Sequence, residues 1–192
     1  MVGEKDPVIR SLVLEKGFIN AHKSGDLVWW PKNGEIAIAH LHEGASIILG
    51  IGENDQNITH VAVGGVDGSV TLLSLPKLDY IDSWCPHKSP VTALFLEKHS
   101  GNQFRFITAD SQGNVNLIGY QLPRTGVKIL NLGRRITSIS ANREQLIVMS
   151  GWQRMVFNRK GSTITNNRKN ISRRMIQTKL PLINRSPRQA KV

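Results

Sequence analysis

The sequence contains a single cysteine, Cys85, among 192 residues. One cysteine excludes an internal disulfide framework and any zinc site built on cysteine ligands. No window approaches the ~18 consecutive apolar residues that a membrane helix needs, and the N-terminal run MVGEKDPVIR carries acidic residues where a secretory signal is basic and then apolar. We therefore expect a protein without a transmembrane segment, located inside the cell and specifically in the cytoplasm.

The sequence also lacks the patterns of common active sites. It has no nucleophile elbow and no paired carboxylates, and the glycine-rich run GGVDGS (Gly64–Ser69) joins two β-rich segments instead of leading into a phosphate-binding helix. The six histidines show no spacing typical of a metal site. We therefore predict a protein that is not an enzyme and holds no cofactor or metal; a propeller enzyme or ligand binder is the less favoured alternative.

Acidic residues are absent from the last part of the chain. All 14 lie in residues 1–158 together with 15 lysines and arginines, whereas residues 159–192 hold ten basic side chains and no acid, so the net charge of +11 belongs mainly to the C-terminal part. Its composition cannot bury enough apolar surface to fold alone. We predict that residues 168–192 form a largely disordered basic tail.

A basic tail attracts phosphate groups or acidic proteins over a long range. Its partners are therefore nucleic acid, an anionic membrane surface or an acidic protein, and a tail that only aids solubility or docks on a partner is the plainer alternative. The candidate contact residues of the tail are Arg168, Lys169, Arg173, Arg174, Lys179, Arg185 and Arg188.

What the sequence does contain is a repeat of about 43 residues. In each copy a β-rich run meets a polar turn and a second β-rich run follows. The turn glycines Gly25, Gly68 and Gly113 are separated by 43 and 45 residues. A fourth copy begins at Leu146 and places Gln153 at the glycine position. The matching segments are FINAHKSGDLVWW, HVAVGGVDGSVTLLSL, FITADSQGNVNLIGY and LIVMSGWQRMVFN.

Each copy predicts a four-stranded antiparallel unit. Apolar residues alternate at period two in the second strand of each hairpin, as in Leu27/Trp29, which is typical of strands. A further strand precedes each hairpin and another follows it, and the last of these is predicted at residues 163–167. A period near 43 residues with short strands predicts an all-β fold of propeller blades. The predicted blades are residues 8–41, 45–84, 91–132 and 135–167.

Residues in these units carry a family resemblance. The run that starts at His60 resembles the central hairpin of WD-repeat proteins, and Asp67 lies where that family's structural turn aspartate is expected. His42 and His87 each precede the first strand of a unit, much as the histidine of the family's Gly-His pair does. No unit carries the Trp-Asp dipeptide, and neither histidine follows a glycine. The resemblance covers about residues 8–167 and implies a β-propeller scaffold for protein–protein interaction and complex assembly.

Four blades leave the closure of the ring open. A four-bladed ring is at the small end of the range, and an open arc exposes strand edges and blade faces that invite another chain. We therefore keep two alternatives, a closed ring of four blades and an arc completed by a second copy or by a protein partner.

Candidate contact residues lie in the turns and linkers of these units. His42, His87 and Asp67 are candidates either for ligand contact or for structural hydrogen bonds within turns, and Trp152 is the tryptophan expected to be most exposed. Trp29 and Trp30 must face opposite sides of one strand. The candidate partner-binding residues are Lys23, His42, His87, Lys88, Arg134, Arg135 and Trp152.

Overall fold

The computed structural model describes residues 6–52, 57–100 and 103–158, and every regular element in these ranges is a β-strand. The all-β prediction is therefore confirmed for the described part of the chain. The strands are β1 Val8–Leu14, β2 Gly17–His22, β3 Asp26–Pro31, β4 Ala37–His40, β5 Ala45–Gly52, β6 Ile58–Gly65, β7 Val70–Ser74, β8 Tyr80–Trp84, β9 Val91–Ser100, β10 Gln103–Asp110, β11 Asn114–Gly119, β12 Val127–Asn131, β13 Ser138–Ala141, β14 Gln145–Ser150 and β15 Gln153–Asn158.

The strands form four separate antiparallel sheets, numbered 1 to 4 along the chain. Sheets 1, 2 and 3 each contain four strands in sequence order, β1 to β4, β5 to β8 and β9 to β12. Sheet 4 contains β13, β14 and β15 within the described residues. The fourth strand predicted at 163–167 and the predicted tail at 168–192 lie outside the described part of the chain. The strand β13 begins at Ser138, so Arg135 lies in the linker before it instead of at the start of the strand as predicted.

The sheets lie against their neighbours in chain order. The first strand of each sheet contacts the first strand of the next, so that β1 lies beside β5, β5 beside β9 and β9 beside β13. We call the side of a sheet that packs on the following sheet its trailing face, and the side that packs on the preceding sheet its leading face; the leading face of sheet 1 and the trailing face of sheet 4 are the sides opposite their packed ones. Every contact between consecutive sheets in the described residues therefore joins a trailing face to a leading face.

Alternation along the strands supplies these two faces. In sheet 1, Leu27 and Trp29 point to the trailing face and are buried against Val61 and Val63 on the leading face of sheet 2. The same arrangement recurs at the other two contacts because both faces of the inner sheets are apolar, as expected for strands covered on both sides. The pairs are Leu72 and Trp84 against Phe104 and Phe106 between sheets 2 and 3, and Ile107 and Val115 against Leu146 and Val148 between sheets 3 and 4.

The two adjacent tryptophans follow the prediction that they face opposite sides. Trp29 is buried in the layer between sheets 1 and 2, whereas Trp30 lies on the leading face of sheet 1 and is partly exposed. Its ring stacks on Phe18, with centroids 6.2 Å apart. Only one of the two tryptophans therefore belongs to the core between sheets.

The predicted turn glycines adopt positive φ angles. The values are +101° at Gly25, +88° at Gly68 and +89° at Gly113, a region that side chains with a Cβ rarely occupy. A Cβ on Gly113 would also lie 2.6 Å from the backbone oxygen of Arg134. In sheet 4 the prediction of Gln153 as the turn residue is wrong. The positive φ falls on Gly151, because β14 and β15 join through a turn of two residues instead of a longer loop.

Candidate partner-binding rim

All seven candidate contact residues lie at one end of the four sheets. This end, which we call the turn rim, carries the turns β2–β3, β6–β7, β10–β11 and β14–β15 together with the linkers between sheets. Backbone hydrogen bonds hold the two kinds of segment together, as in Leu41 N–H donating to Gly25 O at 2.9 Å and Leu132 N–H donating to Gly113 O at 2.9 Å. The antiparallel order therefore brings residues far apart in sequence to a common edge.

Most of the candidates at this rim point outward. Lys23, Lys88, Arg134 and Arg135 are exposed, as is His42 in the linker after β4. Trp152 occupies the two-residue turn of sheet 4, and its side chain is fully exposed. The expectation that Trp152 is the most exposed of the four tryptophans is confirmed.

Several acidic side chains at the rim accept hydrogen bonds from its turns. Asp6 accepts hydrogen bonds from Ser24 N–H at 3.0 Å and from Ser24 Oγ–H at 2.5 Å, and the Ser24 hydroxyl is the main reason that the pKa of Asp6 lies below its ordinary value. Asp67 accepts from the N–H and the hydroxyl of Ser69. The carboxylates therefore face inward to backbone donors, while the cations of the same rim face solvent. Glu43 is an exposed acid in this region.

His87 differs from the other candidates because its imidazole is buried. Its Nε2 lies 2.9 Å from Thr108 Oγ1, and its Nδ1 lies 3.4 Å from Asp110 Oδ2. Burial lowers the pKa of His87, and the nearby carboxylate of Asp110 offsets only part of that effect. A buried imidazole cannot touch a docked partner, so the structure favours the structural alternative for His87.

Asp110 is the residue at this rim that sequence reasoning missed. Its carboxylate accepts hydrogen bonds from Gln112 N–H at 2.9 Å and from Asn114 N–H and Nδ2–H at 2.8 Å each. Burial alone would raise the pKa of Asp110, but the hydrogen bonds from Asn114 and Ser89 together with the charge of His87 outweigh it and the net shift is downward. The signal was present in the run FITADSQGN, where the aspartate precedes the turn glycine by three residues.

A second missed residue, Arg124, joins the outer edges of sheets 2 and 3. Its guanidinium pairs with Asp82, donates to Ser83 O at 2.7 Å and lies 5.9 Å from the centre of the Trp84 ring. The pKa of Arg124 is raised by its hydrogen bond and ion pair with Asp82. Because the guanidinium is largely exposed, this contact positions the loop before β12 more than it stabilises the fold.

In the described part of the chain, no three histidine, cysteine, aspartate or glutamate side chains lie close enough together to hold a metal ion. A cavity of about 240 Å³ opens at the end opposite the turn rim, where Leu14, Trp29, Ile58 and Leu75 are among its lining residues. Among residues 6–52, 57–100 and 103–158 there is no helix long and apolar enough to cross a membrane. The tail candidates from Arg168 to Arg188 lie outside these ranges.

Comparisons with known proteins bear on the fold alone. No family model and no curated protein matches the chain. Among solved structures it is similar to the computationally designed Ika4 protein, with a TM-score of 0.60 and 13% identity over 83% of this chain and 96% of that one. It is also similar to the computationally designed Ika8 protein, with a TM-score of 0.58 and 13% identity over 82% of this chain and 48% of that one. The chain therefore spans about half the length of Ika8, and its described residues form an all-β arrangement of four antiparallel sheets.

Proposed function

We propose that this chain is a non-catalytic scaffold with the architecture of a WD-repeat-like β-propeller, and that it binds a protein partner through the turn rim. Two features support the propeller arrangement. The first strands of consecutive sheets lie beside one another, and each trailing face packs on the next leading face. Such an order is what blades stacked around a common hub require.

The rim is the proposed contact surface because of how its charges are arranged. Asp6, Asp67 and Asp110 accept hydrogen bonds from residues of the rim's turns or next to them, whereas Lys88 and Arg135 are exposed on the linkers between sheets. This observation carries the proposal. Although Glu43 is also exposed, the exposed cations Lys23, Lys88, Arg134 and Arg135 outnumber it, and such a surface favours an acidic partner.

The exposed Trp152 argues for a protein as that partner. Tryptophan and arginine are enriched at the energetic centres of protein interfaces, where truncation of one anchor commonly costs about 2 kcal/mol or more. A fully exposed indole in a two-residue turn offers a large apolar contact area, and tryptophan has only two χ angles to order on binding. An acidic protein segment with an apolar pocket or side chain for the indole fits both features.

The test is a binding titration with a defined probe, a fluorescent peptide of alternating glutamate and leucine. We expect Lys88→Glu combined with Arg135→Glu to weaken its binding at least tenfold, because two attractive contacts become repulsive. Trp152→Ala should weaken binding by about 30-fold, which corresponds to a 2 kcal/mol anchor. Binding is measured by fluorescence anisotropy.

The matched control is Lys32→Glu combined with Lys77→Glu, a change of the same charge at exposed lysines in the β3–β4 and β7–β8 turns of the opposite end. We expect this control to bind the peptide nearly as the unaltered chain does. Equal losses in both double variants would show that net charge, and not the turn rim, governs the binding.

The basic C-terminal segment supports a second candidate function, association with nucleic acid or a ribonucleoprotein. Its ten basic side chains without an acid favour sequence-independent phosphate contacts. We expect the full chain with seven glutamines in place of Arg168, Lys169, Arg173, Arg174, Lys179, Arg185 and Arg188 to lose at least tenfold in affinity for single-stranded RNA and most of its salt dependence. RNA binding that survives these substitutions would assign the contact to the sheets.

A further inference from the structure

Among the described residues no sheet packs on the leading face of sheet 1, and this face carries exposed apolar side chains beside polar ones such as Asn20. Val13, Phe18, Trp30 and Ile38 all lie on this face and are exposed, and the exposed fraction reaches 81% at Val13. On sheets 2 and 3 the apolar residues of the leading face are buried by the sheet before them. Several exposed apolar side chains on one face of a sheet indicate a contact site.

The trailing face of sheet 4 is the counterpart at the other end of the chain. The register of β13, β14 and β15 places Ile147, Met149 and Val156 on this side, opposite the side that packs on sheet 3. Val156 is 47% exposed. The hydroxyls of Ser138 and Ser140 and the charged side chain of Arg154, which pairs with Met149, lie on the same side.

These two faces are of the kinds that pair elsewhere in the molecule. Each of the three contacts between consecutive sheets joins a trailing face to a leading face. Sheet 1 offers a leading face and sheet 4 a trailing face, so the described chain ends in one surface of each kind. The leading face of sheet 1 can therefore pack on the trailing face of sheet 4 from another chain, which continues the stack of sheets.

We propose that the partner of these faces is a second copy of this chain, and that two copies join head to tail twice to form a ring of eight sheets. The proposal rests on the propeller arrangement of the previous subsection and not on the turn rim. In such a ring the leading face of each sheet 1 packs on the trailing face of the other copy's sheet 4. The contact between unlike faces then closes instead of growing into a filament.

The length of the chain and the area of its two end faces are both consistent with a second copy as the partner. This chain covers 48% of the Ika8 chain, so that two copies of it have about the length of that one designed protein. From strand spacing and rise, one face of three or four strands covers about 300 to 400 Å². Each contact covers two such faces, so the two contacts of the ring together bury about 1,400 Å². This total area is within the roughly 1,200–2,000 Å² that a stable interface buries.

The first experiment measures the mass of the full chain in solution by light scattering at tens of micromolar. We expect two chains of 21.4 kDa each. Ile38→Lys on sheet 1 and Val156→Glu on sheet 4 are each expected to halve that mass, because a buried unpaired charge opposes docking. Val13→Glu is a second variant on sheet 1. Because Val13 is the most exposed apolar residue of that face, we expect the substitution to change the stability of the single chain little.

The matched control is Val66→Glu, the same substitution as at Val156, at a residue that is 40% exposed in the β6–β7 turn. We expect this variant to remain a two-chain assembly. Circular dichroism of every variant establishes that its strands are intact before its mass is interpreted.

Mixing distinguishes head-to-tail pairing from pairing of like faces. The Ile38→Lys chain retains an intact sheet 4 face and the Val156→Glu chain retains an intact sheet 1 face, so an equimolar mixture is expected to regain the two-chain mass. If sheet 1 paired with another sheet 1, Val156→Glu alone would stay dimeric and the mixture would contain monomeric Ile38→Lys. Either that result or a folded full chain of monomeric mass would overturn the proposal.

The peptide titration and the mass measurement give independent results, one for the turn rim and one for the two-chain ring. A monomeric chain that still binds the acidic peptide through Trp152 and Arg135 would remove the two-chain ring and leave the rim intact. A two-chain assembly that ignores the peptide would do the reverse.

Discussion

Replacing Phe106 by alanine is expected to lower the free energy of unfolding by about 3 to 5 kcal/mol. The side chain is completely buried on the leading face of sheet 3. Its ring lies parallel to that of Phe104 with centroids 6.2 Å apart, and 6.0 Å from the ring of Trp84 on the trailing face of sheet 2. The substitution leaves a cavity between two sheets that rigid strands cannot close, so the lost transfer energy and the cavity cost add.

Urea denaturation of the full chain, with every variant at one protein concentration, measures this loss. The control is Tyr120→Ala, which removes an exposed aromatic ring at the end of sheet 3 and is expected to change stability by about 0.5 kcal/mol or less. A loss below about 1 kcal/mol for the Phe106 variant would mean that sheets 2 and 3 do not share a packed core.

Replacing Asp110 by alanine is expected to cost about 2 to 4 kcal/mol, because the backbone N–H groups of Gln112 and Asn114 and the Asn114 amide lose their acceptor. Asp67→Ala, in the corresponding turn of sheet 2, removes the acceptor for Ser69 alone and should cost about 1 kcal/mol. The exposed Asp79 provides the control, with an expected change of about 0.5 kcal/mol or less. Equal losses at Asp67 and Asp110 would contradict this order.

The buried pair His87 and Asp110 predicts how the free energy of unfolding depends on pH. The pKa of His87 in the folded chain lies below its ordinary 6.5, so on acidification below that value the unfolded chain takes up a proton before the folded one does. Stability therefore falls as the pH drops from about 6.5 towards the folded pKa. The pKa of Asp110 is also below its ordinary 3.8, so a second loss begins below that value. His87→Gln should abolish the first loss and retain the second.

The sequence predicted the individual sheets well because the signals for them are local. Alternation placed Leu27 and Trp29 on the same side of one strand, and both are buried. The glycine of a tight turn is recognisable from its neighbours, and Gly25 and Gly68 have the positive φ that was expected. Strand existence and turn position at these sites depend on residues within about ten positions of one another.

The geometry around the candidate residues was less predictable, because it depends on contacts between residues distant in sequence. His87 is buried through contacts with Thr108 and Asp110, more than 20 residues away. Asp67 and Asp110 occupy similar turns, yet their different burial follows from what packs over each turn. In sheet 4 the positive φ moved to Gly151 because strand pairing shortened the turn. Sequence spacing carries no direct record of such packing.

By itself, the amino-acid sequence determined that this chain forms short antiparallel strands in a repeat of about 43 residues, with its excess positive charge placed after residue 158. Only the tertiary structure decided which face of each strand meets which neighbouring sheet, and therefore which apolar residues are left exposed at Trp30 and Val156. The physical reason is that a period of two specifies that side chains alternate, whereas the burial of either side depends on the sheet that packs against it.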